Sequence, residues 1–254
     1  MVRIMNDRKN NILAIASGKG GVGKTWLAVT LAQLFARSGR QVLLFDGDIG
    51  LANVDVQLGL TPSRDLSGVI SGRHTLKDAI TPYAEGGFDI IAGRSGSASL
   101  AALPVEKLEA IAGALGEIRK NYDHVIIDLG AGIEQHVQYL STLAARCIVV
   151  VTDEPTSLTD AYAFIKIALS GKNAPETFIV VNQAATQKEG EGTYHALNKA
   201  CTNFLNISPP LLGIIRRDNK VKDAIRSQKS LLIKAPHSTA ATDAAALSIK
   251  LMQR

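Results

Sequence analysis

Cysteine is nearly absent from this chain of 254 residues: Cys147 and Cys201 are the two present. Cys147 sits in the apolar run Cys147–Val151 and Cys201 in a helix-like stretch, so reduced core thiols are expected rather than a disulfide framework. The five histidines show no metal-ligand spacing, which argues against a zinc site. No apolar run reaches the roughly 20 residues that a membrane-spanning helix needs. The start of the chain, with Arg3, Asp7, Arg8 and Lys9, lacks the apolar centre of a signal peptide, and the expected compartment is the cytoplasm. Charge of one sign is also lacking, since 28 basic residues stand against 23 acidic ones and the small surplus names no polyanionic partner. No linker, internal repeat or low-complexity tract divides the sequence. Residues 1–254 are therefore expected to form a single domain with one substantial core.

Glycine, by contrast, is concentrated where it can do chemistry. Gly18-Lys19-Gly20-Gly21-Val22-Gly23-Lys24-Thr25 follows a strand-like run, Ile12–Ala16, and opens a helical pattern carrying Leu27, Leu31 and Leu34 on one face. A strand, a glycine-rich turn and a helix gather free backbone N–H groups and the positive helix end around one small volume, which makes an anion site. Gly18, Gly20 and Gly23 satisfy the dinucleotide fingerprint G-x-G-x-x-G, and Asp46 stands about where a ribose-binding acid belongs. Gly18, Gly23, Lys24 and Thr25 equally satisfy the P-loop pattern G-x-x-x-x-G-K-[ST]. The first reading leaves Lys24 and Thr25 without a task. The second gives the lysine the β- and γ-phosphates and the threonine hydroxyl a magnesium ion, and it requires a further acid at the end of a buried strand. Val125-Ile126-Ile127-Asp128 supplies that acid, followed by the small residues Gly130-Ala131-Gly132. The P-loop reading is preferred.

Short apolar runs alternate with helix-length segments along the chain. The runs are Ile12–Ala16, Gln41–Phe45, Phe88–Ile91, Val125–Asp128, Cys147–Val151, Phe178–Asn182 and Leu211–Ile215. Between them lie amphipathic stretches such as Val105–Arg119, Leu158–Ser170 and Gly192–Leu205. Strands apolar on both faces, alternating with helices, predict an α/β fold whose mostly parallel sheet is covered by helices on both faces. Ligands of such sheets bind beyond the carboxyl ends of the strands, where Lys24, Asp46, Asp48, Asp128 and Asn182 converge. Residues 1–11 precede the first strand as a short extension. The last segment, Ser238–Arg254, places Ala240, Ala244, Leu247 and Leu251 on one stripe. A helix packed on its own domain is favoured there, and a peripheral membrane helix is the alternative. Arg216, Arg217, Lys220, Lys222, Arg226 and Lys229 crowd together, either as a solvated helix face or as a surface for the phosphates of lipid or nucleic acid.

The Lys-Gly-Gly-Val-Gly-Lys-Thr sequence, with Lys19 after the first glycine, is similar to the deviant Walker A motif of the MinD/ParA class of P-loop ATPases. Asp46-Gly47-Asp48-Ile49-Gly50-Leu51-Ala52-Asn53-Val54-Asp55-Val56 resembles the aspartate-rich switch of that class, most closely that of the FlhG/FleN flagellar-number regulators. Asp128-Leu129-Gly130-Ala131-Gly132 is like its Walker B and second switch. Glu154-Pro155-Thr156-Ser157-Leu158-Thr159-Asp160-Ala161-Tyr162 resembles the flagellar branch in particular. The resemblance runs from about Ile12 to near the C-terminus.

The resemblance implies roles for single residues. Gly18, Lys19, Gly20, Gly21, Val22, Gly23, Lys24, Thr25 and Trp26 would form the nucleotide loop, with Lys24 holding the phosphates. Thr25, Asp46 and Asp128 would support magnesium. Asp48 would position the attacking water, and Asn53 would belong to the first switch. Lys19, which has no task within one subunit at this level of reading, would reach the nucleotide of a dimer partner. Asn182 and Arg217 would lie at the adenine. Three departures stand out: no Asp-Gln-Ala motif precedes the first strand, Trp26 replaces a small residue, and Ile215-Arg216-Arg217-Asp218 replaces a proline-containing turn. A nitrogenase-type iron protein is rejected, because neither cysteine matches a cluster ligand. The implied function is a slow Mg-dependent ATPase that dimerises with ATP and regulates flagellar number or placement with a flagellar regulatory partner, in the cytoplasm or at the inner membrane face. The alternatives are a positioning ATPase for division, chromosome or other cargo, working on membrane or non-specific DNA, and a nucleotide-binding module without turnover.

Overall fold

The computed structural model describes residues 10–48, 50, 52–93, 103–168 and 174–253. Most of the short extension, Ile49 and Leu51 of the aspartate-rich block, the expected helix end at Leu169 and Ser170, and Arg254 lie outside the described residues. Each of the seven apolar runs forms a strand: β1 (Ile12–Ser17), β2 (Val42–Gly47), β4 (Phe88–Ile91), β5 (His124–Ala131), β6 (Arg146–Val151), β7 (Glu176–Ala184) and β8 (Leu211–Arg216). The strand β3 (Ile80–Tyr83) escapes sequence reading, because Pro82 sits in its middle. Proline is tolerated there because β3 lies at the sheet edge, where the missing N–H can face away from the ladder.

The sheet order is β3-β4-β2-β5-β1-β6-β7-β8. All pairings are parallel except β3 with β4. Alternation along the strands sends side chains to two apolar layers. Val125, Ile127 and Leu129 of β5 join one layer with α3 (Leu66–Ile70), α4 (Val105–Ile118), α5 (Gln135–Ser141), α6 (Pro155–Ala168) and α7 (Gln187–Leu205). Ile126 of the same strand joins the other, with α1 (Lys24–Arg37), α9 (Leu231–Lys234) and α10 (Thr239–Met252). The sheet is therefore covered on both faces.

Local signals set the helix starts. The side chain of Thr186 caps α7 by accepting the Glu189 N–H at 3.1 Å, while Ser238 caps α10 by accepting that of Ala241 at 3.3 Å. The apolar stripe of α10 faces inward: Ala240, Ala241, Ala244, Leu247 and Leu251 are all buried, against α1 and β8. A Cβ on Gly213 would come within 2.3 Å of Leu247 Cδ2, so a glycine in β8 is what lets the helix sit this close. Arg216 fastens α10 further through a two-pronged bond to Asp243, with Nη2 at 2.7 Å and Nε at 3.0 Å. The stripe is thus spent on the core.

Candidate functional site

Because the strands are parallel, the carboxyl ends of β1, β2 and β5 open on one edge of the sheet. The loop after β1 turns sharply there, with positive φ at Gly21 (79°) and Gly23 (95°). These are left-handed conformations that glycine adopts without steric cost. Gly23 is doubly constrained, since a Cβ would meet Asn182 Nδ2 at 2.4 Å. Asn182 is buried behind the loop, donating to the Val22 carbonyl at 2.7 Å and accepting the Gln183 N–H at 2.9 Å. The residue expected at adenine therefore braces the loop in this structure. Gly18 has a different reason to be glycine. A Cβ there would lie 2.0 Å from the Asp160 carbonyl carbon and 2.5 Å from the Ala161 nitrogen, so the loop is pressed against the backbone of α6.

The first N–H groups of a helix have no acceptor within it. The first turn of α1, Lys24, Thr25 and Trp26, lines a cavity of about 600 Å³ bounded also by the loop, α2 (Val54–Leu58), the start of α5 and Ile225 of α8 (Asn219–Arg226). Gly20, Gly21, Gly23, Lys24, Thr25, Trp26 and Asp48 form part of its wall, whereas Gly18, Lys19, Val22, Asp46 and Asp128 do not. Asn53 of the first switch also stands there. Gln57, Glu134, His136 and Ile225 stand in the wall as well, and sequence reading missed them. Glu134 and His136 follow the Asp128–Gly132 block closely enough that spacing could have found them. Ile225 arrives from a distant helix with no local signal. Asn182 and Arg217 are not part of this wall, and the Arg217 side chain is exposed.

Electrostatics are concentrated at the strand ends. Asp46 and Asp128 are register partners on β2 and β5, and both are buried. Burial, reinforced by the Asp128 charge, drives the Asp46 carboxyl well above the usual carboxylate range. Burial pushes Asp128 up to about 6, against the pull of the Thr25 hydroxyl hydrogen bond and of the Lys24 charge. Lys24 is itself buried, which lowers its pKa, while Asp128 and Asp48 oppose that shift. Asp46 accepts backbone N–H groups from Asp48 (3.2 Å), Asn53 (3.1 Å) and Val54 (3.1 Å), so it shapes the loop that carries Asp48.

The donor set suits a hard cation. Asp128 Oδ1 is buried and, among the described residues, has no hydrogen-bond donor. The Asp128 carboxylate and the Thr25 hydroxyl stand together as oxygen ligands of the kind magnesium takes. Asp46, with much of its carboxylate already bonded to backbone, has less to offer an ion. Lys19, which sequence reading left without a task inside one subunit, has one here: its Nζ pairs with Glu154 and donates to Thr156 Oγ1 at 2.9 Å.

Residues 13–232 match the family described as the CobQ/CobB/MinD/ParA nucleotide binding domain. The antiactivator FleN of Pseudomonas aeruginosa is 38% identical over 229 residues, covering 90% of this chain and 81% of that protein. The flagellum site-determining protein YlxH of Helicobacter pylori is 35% identical over 235 residues, covering 91% and 79%. Among solved structures, the septum site-determining protein MinD of Pyrococcus horikoshii OT3, complexed with Mg-ADP, superposes with a TM-score of 0.80 at 24% identity, covering 95% of each chain.

Proposed function

This chain belongs to the CobQ/CobB/MinD/ParA nucleotide-binding family, and from that premise we propose that it is a magnesium-dependent ATPase that dimerises on ATP and controls flagellar number or placement. What carries the flagellar reading is the likeness to FleN and YlxH, at 38% and 35% identity over nine-tenths of the chain. What supports ATP as substrate is the glycine-turned loop at the start of α1 with the buried Lys24, a cradle for a phosphate chain. Magnesium bound by Thr25 and Asp128 would neutralise charge on the phosphate oxygens.

The remaining work falls to the chain's own groups. Lys24 and the loop amides hold the phosphates. Asp48, carried on the loop that Asp46 organises, orients the attacking water. Lys19 leaves Glu154 and Thr156 to reach the nucleotide of a second copy. The Lys19–Glu154 pair has side chains 37% and 60% exposed. Such pairs contribute at most about 1 kcal/mol, so opening this one is a small demand on ATP binding.

Light scattering with ADP and with ATP, run beside phosphate release, tests the switch. ATP alone should give the dimer. Lys19→Ala should lower hydrolysis and weaken the dimer while nucleotide still binds, and unchanged turnover would remove the cross-subunit role. Deleting the gene should change flagellar number or position. A second reading, cargo positioning on DNA, is favoured by one observation: Lys222, Arg226 and Lys229 are exposed in and just after α8. It requires ATP-dependent DNA binding that falls steeply with salt.

A further inference from the structure

Phe204, in the last turn of α7, is the most exposed large apolar side chain among the described residues, at 75%. Ala196, Ala200 and Phe204 are spaced by four residues and stack along one face of α7. Leu158 and Tyr162, also four apart, form the facing pair on α6 and are half-buried. These two rows bank an open groove of about 460 Å³ that also takes in the buried Leu197 as its floor. The alanines leave it open, because larger side chains there would fill the space between the helices. The groove shares no lining residue with the nucleotide cavity.

A lone exposed apolar side chain needs no explanation, whereas apolar surface gathered around a recess marks an interaction site. The row from Ala196 to Phe204 spans about 12 Å, or two helical turns. Small residues on one bank let a third helix approach to the usual axial separation of about 8–10 Å. A flat bilayer suits the surface less well, since Phe204 alone projects and the other apolar groups lie in the recess. Charge narrows the choice further. No Asp or Glu occurs in residues 161–175 or 192–217. Lys166, one turn beyond Tyr162, and Lys199, one turn beyond Ala196, are exposed on the two banks. The acids of the two helices, Asp160, Glu189 and Glu191, lie toward their starts. The groove is thus an apolar recess between basic banks.

We propose that the α6–α7 groove docks an acidic amphipathic helix of a partner protein. Its apolar face fills the recess over Leu197 and covers Phe204, and its acidic flanks meet Lys166 and Lys199. This is the helix-in-groove mode of recognition, in which spaced apolar anchors supply affinity and flanking charge supplies selection.

A random-peptide phage library panned on the immobilised whole protein, without nucleotide, tests the site. The screen needs no phosphate ligand, so it stands or falls apart from the ATPase reading. Recovered peptides should carry apolar residues at helical spacing with Asp or Glu beside them. In calorimetry they should bind the protein more weakly as salt rises. Phe204→Ser removes the exposed ring, and Ala200→Leu fills the recess. Each should weaken peptide binding about thirtyfold, the loss expected of an interface anchor, with thermal melting showing that the variants are folded. Lys199→Glu should cost about fivefold at low salt. Peptides that bind both groove variants as tightly as the parent overturn the proposal. So does a recovered set without acidic residues, or a library that yields no binder. Three further results would assign another occupant and overturn it as well. Self-association that is lost in Phe204→Ser would make the occupant a second copy. Sedimentation with anionic lipid vesicles that is lost in the same variant would make it a membrane. Peptide binding seen only after removal of residues 1–9 would make it the chain's own start.

Discussion

Replacing Asp128 with asparagine should make the metal-free protein more stable while removing its response to Mg-nucleotide. Asp128 is buried at the end of β5, beside Asp46, and its carboxyl is raised from the ordinary 3.8 to about 6, chiefly by burial. A folded-state pKa above the unfolded one means that the native protein binds the proton more tightly. Ionisation of Asp128 therefore costs stability above pH 6, and that cost fades as the pH falls through 6 towards 4. The rise corresponds to about 3 kcal/mol. Asparagine keeps the shape and can still accept from Thr25, but it carries no charge to bury, so it should recover most of that amount at pH 7.5. In a domain of this size each kcal/mol moves Tm by about 2–4 °C, giving an increase of up to roughly 6–12 °C. The assay is thermal unfolding of both proteins in chelator, from pH 7.5 down to 4.5, read as the difference in Tm. That difference cancels background titrations such as the half-buried His124, whose pKa burial and Arg146 lower. The gap should be full at pH 7.5 and close below about pH 4. Adding Mg-ADP should raise Tm for the unaltered protein and leave the variant nearly unmoved, because binding to the native state alone stabilises it. A variant no more stable than the parent at pH 7.5 would refute the burial-cost reasoning.

Three other perturbations probe separate parts of the site and fold. Asp48→Ala should bind ATP nearly normally, hydrolyse it poorly and accumulate as the ATP dimer, since a group used to orient water acts mainly in the transition state. An affinity loss in that variant as large as in Asp128→Ala would make Asp48 a metal-site residue instead. Gly18→Ala should destabilise the fold by at least about 1–3 kcal/mol in denaturant titration, because the new methyl meets α6 backbone that cannot give way. An unchanged unfolding midpoint would show that the loop and α6 can part freely. Leu247→Ala should cost about 2–5 kcal/mol by the same measurement, as for other buried leucines, and removal of residues 238–254 should yield insoluble or unfolded protein. A folded truncated chain that has merely lost liposome binding would restore the membrane role of α10.

Much of this molecule could be read from local pattern. The seven apolar runs, the P-loop and the two strand-end aspartates were all legible, because period, turn chemistry and burial preference act over a few residues. What escaped had physical reasons of its own. The edge strand β3 was hidden by Pro82, which only its antiparallel edge position tolerates. Ile225 reaches the cavity from α8, about 200 residues beyond the loop whose cavity it shares.

Sequence by itself determined the chemistry available: a phosphate loop, a hydroxyl and two buried acids brought to one sheet edge by parallel strands. Only the tertiary structure decided how those groups are held. It turned the Gly18 requirement from phosphate approach into contact with α6, set Asn182 behind the loop, and gave Lys19 partners in Glu154 and Thr156. It also committed the α10 stripe to the core. The division has one cause. Residue type and spacing fix what a segment can form or bind, whereas packing between distant segments fixes which of those options remain open.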